Sequence, residues 1–145
     1  MSGLIIALLV AFVGGMAIAI QSPLASMMSE RVGALESAFI VHLGGALIAS
    51  VPLVIMGGGH LARWREVPTY ALLSGGLGLV LIAAISYSIP RIGLANTVAP
   101  LIAAQLIAGA VVDHLGLFGL EVRLLDPVRA SGIALLFVGV LLVTK

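Results

Sequence analysis

Five apolar runs separated by short charged connections constrain this chain more than any other feature. They cover residues 3–20, with a continuation to 29, then 38–58, 69–89, 93–112 and 130–144. A helix crosses the ~30 Å hydrocarbon core with about 20 residues, so the middle three runs fit directly. The fifth either borrows 124–128, giving a span near 128–144, or sits short. Only 9% of the residues are charged and 61% are hydrophobic, against roughly a quarter charged in a soluble domain. A water-facing surface cannot be built from that inventory. The fold expected is therefore an all-α integral membrane protein, one domain of five transmembrane helices over residues 1–145, with the lipid bilayer as its first partner. An odd number of spans places the two termini on opposite faces.

Composition also removes several functions. The net charge of +1 argues against nucleic acid as a partner. The absence of cysteine excludes disulfides, thiolate metal sites and thiol nucleophiles together. Ala17-Ile18-Ala19 has the look of a signal-peptide cleavage site. That reading fails, because no Lys or Arg precedes Gly3 and four further apolar runs follow. No nucleophile–base arrangement and no pair of catalytic carboxylates is present, so no enzyme, cofactor or metal is expected.

The charges keep to connections and span ends. Glu30, Arg31 and Glu36 lie between the first two runs, and Arg63, Arg65 and Glu66 between the next two. Arg91 stands alone before the fourth run, while Asp113, Glu121, Arg123, Asp126 and Arg129 surround the fourth connection. A charge at a helix centre costs about 2.5 to 3.5 kcal/mol on insertion scales, which explains the segregation. Threading the chain puts Arg63, Arg65, Arg123 and Arg129 on one side and Arg31, Arg91 and Lys145 on the other. So even a split hardly specifies orientation. Two readings remain, a single topology with the amino terminus in the cytoplasm, or insertion in both orientations.

Helix packing in lipid relies on small residues four apart. One such stripe, Ala95, Ala99 and Ala103 in the fourth run, is the candidate dimer contact. Pro23, Pro52 and Pro100 are expected to break their spans, freeing the carbonyls of Ala19, Ile48 and Asn96. Pro68 and Pro127 read as helix starts, and Pro90 with Arg91 and Gly93 as the turn between the third and fourth spans. Gly57-Gly58-Gly59 is a turn, without the Lys-Ser/Thr of a phosphate loop. Trp64, Tyr70 and Tyr87 suit an interfacial belt.

The polar residues inside the runs are the candidate solute contacts: Gln21 in the first, Asn96 and Gln105 in the fourth. Gln105 is central in its span and 2.5 turns from Asn96, so the two point to roughly opposite faces. Interhelical hydrogen bonding is the alternative role for each. With no carboxylate at mid-membrane depth, Glu36, His42 and Asp113 are the titratable groups nearest the spans and the candidates for proton coupling. Asp113-His114 followed by Gly116 otherwise reads as a helix end.

Several stretches together resemble a known family. They are Gln21 after an apolar first span, Gly75-Gly76-Leu77-Gly78, Ile89-Pro90-Arg91-Ile92-Gly93, Gln105-Leu106-Ile107-Ala108-Gly109 leading to Val112-Asp113-His114-Leu115-Gly116, and Pro127-x-Arg129-x-x-Gly132. The chain resembles the YdcZ-type small five-helix proteins of the drug/metabolite transporter superfamily, with Gln105 to Gly116 the most specific part. The family's first span carries Gln-x-x-Asn, whereas here Ser22-Pro23-Leu24 follows Gln21. The resemblance implies a half-sized transporter in the bacterial inner membrane. On this resemblance, two copies are expected to pair antiparallel into a ten-helix inverted repeat and move a small polar or organic solute by alternating access. A non-transporting membrane subunit is the rival. The glutamate that small multidrug resistance proteins carry in their first span has no counterpart here, so their proton antiport is not implied.

Overall fold

The computed structural model describes residues 2–145 as helices joined by short connections. In order they are α1 (Ser2–Val32), α2 (Ala34–Ile55), α3 (Thr69–Leu72), α4 (Gly75–Ile92), α5 (Leu94–Leu115) and α6 (Pro127–Val143). Short 3-10 turns cover Leu61–Glu66 and Leu117–Gly119. By length and composition, four helices can cross a membrane: α1, α2, α3 continued by α4, and α5. The fifth, α6, has 17 residues, so it rises about 26 Å and sits short rather than borrowing the residues before Pro127.

Helix ends follow local chemistry more than hydropathy. α1 runs on past the apolar run to Val32, taking in Glu30 and Arg31, and α2 begins at Ala34 and so includes Glu36. Helical hydrogen bonds tolerate charged residues in a terminal turn, whereas a hydropathy window stops at them. Between these helices the chain reverses at Gly33, whose φ of +103° only glycine adopts without strain. Asp126 caps α6, its Oδ1 accepting from the N–H groups of Val128 and Arg129 at 2.8 Å each, and Pro127 occupies the first helical position as expected.

The expectation that prolines break three spans is corrected. Pro23, Pro52 and Pro100 each lie inside a continuous α-helix. A hydroxyl one to three residues earlier bonds back to a carbonyl of the preceding turn in every case: Ser22 to Ile18 at 2.7 Å, Ser50 to Leu47 at 2.7 Å and Thr97 to Gly93 at 2.8 Å. At Pro23 and Pro52 the carbonyl reached is the neighbour of the one the proline frees. Such back-bonds hold the turn against a ring that removes one rung of the ladder. Pro90 is likewise inside α4, and the turn is made by Gly93 at φ +82°.

The residues divide into two compact units, one ending at Arg91 and one from Ile92 to Lys145. In the first, α1 packs against α2, and Ile82 of α4 meets Ala25 of α1 and Ala38 of α2, with Val41 against them. Ser37 of α2 donates to the Ala25 carbonyl of α1 at 2.9 Å, an interhelical bond that small neighbours make possible. In the second unit α5 packs against α6. Few side chains are fully buried, and most large apolar ones are exposed, as a surface solvated by lipid requires.

Candidate functional site

A concave site with polar lining lies on the second unit, between α5 and α6. Gln105, Gly109 and Asp113 recur every four residues along one face of α5, and Arg129, Gly132, Ile133 and Leu136 line the facing side of α6. Leu106 and Ala110 complete a groove of about 370 Å³, within the range of small-molecule sites. The early residues of α6 meet the late residues of α5, so the two helices run antiparallel. A Cβ built on Gly109 or Gly132 would meet no atom within 4 Å, so the space above both glycines is open.

Polarity is concentrated at two levels of this groove. Gln105, twelfth of the 22 residues of α5, presents its amide near the middle. At the end, Arg129 Nη2 pairs with Asp113 Oδ2 at 2.9 Å, the two side chains being 40% and 31% exposed. The other terminal nitrogen of Arg129 donates to the Arg123 carbonyl at 3.3 Å. The connection between the helices is tied to the same place. Arg123 N–H donates to the Asp113 carbonyl at 2.9 Å, and Leu125 N–H donates to His114 Nδ1 at 3.1 Å. Gly116, at φ +60°, ends α5 as its position in the sequence suggests.

Of the residues expected to contact solute or carry protons, Gln105 and Asp113 come together here. Asn96 does not line the groove; it lies half-buried in the first turn of α5. The small-residue stripe of α5 is graded, with Ala95 exposed, Ala99 half-buried and Ala103 buried within the chain. The other candidates belong to the first unit. Gln21 is exposed on α1 beside buried Ser22. Glu36 stands in the first turn of α2 with its carboxylate folded over Gly33, where the free N–H groups of the helix start attract negative charge. His42 donates from Nδ1 to the Ala38 carbonyl at 2.7 Å, and its Nε2 edge occupies the place a side chain at Gly78 would need. A carbonyl can only accept, so Nδ1 carries the proton of that bond.

Arg129 and Gly132 had no site role in the sequence reading, where Arg129 was one of the connection charges and both belonged to the stretches that carry the family resemblance. Their signal was the Pro127-x-Arg129-x-x-Gly132 spacing, which sets an arginine and a gap on one face of a helix start. No group of three or more His, Asp or Glu with metal-binding geometry occurs among the described residues.

Apolar helices of membrane-spanning length, charges held to helix ends and a polar groove between two helices define a multi-pass, all-helical membrane protein. Residues 6–142 match the family described as "Putative inner membrane exporter, YdcZ". The chain belongs to that family, and its place is the inner membrane. The comparison with curated proteins and with solved structures gives no match.

Proposed function

We propose that this chain is a small exporter subunit that pairs with an antiparallel second copy and moves a small organic solute across the inner membrane by alternating access. The observation that carries the reading is the α5–α6 groove, where a mid-span amide and an ion pair face open space on a helix pair otherwise clothed for lipid. An uncharged amide at that depth needs a partner, and Gln105 has the groove in front of it. Family membership supports the transport role. The near-even arginine and lysine split supports insertion in both orientations. A ten-helix inverted repeat built from two copies follows, with Ala95 and Ala99 in the contact. On the sequence argument alone, Gln21 and Asn96 belong to the access path.

Reconstitution into vesicles tests the reading. Gln105→Leu keeps the bulk and removes the amide, so solute flux should disappear while dimer yield and Tm stay near wild type. A subunit that only assembles with another membrane protein would show no flux in either form. Reporter fusions at the carboxyl terminus should label both membrane faces, and labelling of one face in more than ~90% of molecules excludes dual topology.

A further inference from the structure

The ion pair at the end of the groove joins the last turn of α5 to the first turn of α6. The backbone around it is already bonded: the Asp113 carbonyl accepts from the N–H groups of Gly116 and Arg123, and at the start of α6 Val128 and Arg129 donate to Asp126 Oδ1 and Ala130 to the Asp126 carbonyl. The two side-chain charges are held by one another. Nor do the two saturate one another. They meet through a single Nη2 to Oδ2 contact, not the two-pronged fork that arginine and carboxylate can form.

The two partners differ in what happens when the pair opens. Arginine keeps its charge at any physiological pH, so a cationic ligand that took Asp113 would leave Arg129 charged and without its carboxylate partner. A ligand acid that takes Arg129 leaves Asp113 instead, and a carboxylate can discharge itself by binding a proton.

We infer that the groove takes an organic acid with an apolar body, whose carboxylate replaces Asp113 on Arg129 while Asp113 binds a proton, so that acid and proton enter the site together. The step balances: one anion and one proton arrive, the Arg129–Asp113 pair becomes an Arg129–ligand pair plus a neutral Asp113, and the groove's net charge is unchanged. Leu106, Ile133 and Leu136 accept the apolar body. The other charged or titratable groups around Asp113 are already engaged. Arg123 has Glu121 at 3.6 Å, Asp126 caps α6, and the His114 ring accepts from Leu125 N–H. This inference rests on reading the groove as the solute site.

Calorimetry on the detergent-purified protein tests it without requiring flux. The probes are benzoate and the straight-chain carboxylates from butyrate to octanoate, with benzamide and benzylammonium as neutral and cationic controls. Titration in two buffers of different ionisation heat counts protons. Saturable binding of the carboxylates alone, with about one proton taken up per ligand, is the expected result. Arg129→Gln should weaken carboxylate binding by more than about tenfold. Asp113→Asn, which mimics the protonated acid, should retain binding and lose the proton uptake. Because Arg129→Gln leaves Asp113 unpaired, the double variant Arg129→Gln/Asp113→Asn provides a neutral, folded control, and it too should fail to bind. Absence of saturable carboxylate binding, equal binding of benzylammonium or benzamide, or binding without proton uptake would each overturn the inference. Carboxylate binding with proton uptake but no flux in vesicles would overturn the transport reading alone. Flux of cations without carboxylate binding would do the reverse.

Discussion

The two units of this chain use polar residues in opposite ways. In the first, the hydroxyl of Ser37 spans from α2 to a backbone carbonyl of α1, and small neighbours such as Ala25 and Ala38 close around it. In the second, Gln105, Asp113 and Arg129 face a groove that two glycines keep open. A polar group bonded to backbone among small residues serves helix packing, because its partner is already present. Asp113 and Arg129 partner one another across the groove, and under the proposed function the Gln105 amide is the group left for a solute.

That contrast can be broken by substitutions whose effects on stability fall in a defined order. The largest belongs to Ala38→Leu. Ala38 is 1% exposed beside Ala25 and Ile82, so three added carbons have nowhere to go and unfolding in detergent should become easier by about 2–3 kcal/mol. Next comes Gly78→Ala, whose new methyl displaces the exposed His42 ring and its bond to Ala38. A loss near 1 kcal/mol is expected, and His42→Ala made in the same background should add little further. Ser37→Ala removes one interhelical bond and should cost roughly 0.6 to 1 kcal/mol without changing flux. The smallest stability effect falls in the second unit, where Gln105→Leu should shift stability by less than about 0.5 kcal/mol while abolishing transport. Should Gln105→Leu destabilise as much as Ser37→Ala, its amide ties helices together and the distinction between the units fails.

Much of the fold is legible in the sequence because lipid imposes a strong, local rule. The apolar runs mark the spans, Gly116 marks the end of α5, and Asp126-Pro127 marks the start of α6, since each depends on neighbours within a few residues. Gln105 stands out for the same reason, an amide in the middle of an apolar run. The prolines misled because the rule for an isolated ring omits the hydroxyls beside it. Ser22, Ser50 and Thr97 back-bond the turns before Pro23, Pro52 and Pro100, and the helices continue.

By itself, then, the sequence determined the all-helical membrane class, the order of the apolar helices and the family. Tertiary structure decided which residues share a surface. Arg129 looks like one of several connection charges until α6 packs antiparallel on α5 and brings it within 2.9 Å of Asp113. His42 and Gly78 are unremarkable 36 positions apart until α2 and α4 bring the ring over the glycine. Hydropathy reports only whether a residue tolerates lipid, and most faces of these helices do. Register and crossing between helices are set by side-chain shape at contacts far apart in the chain, and lipid, being as apolar as leucine, adds no preference of its own.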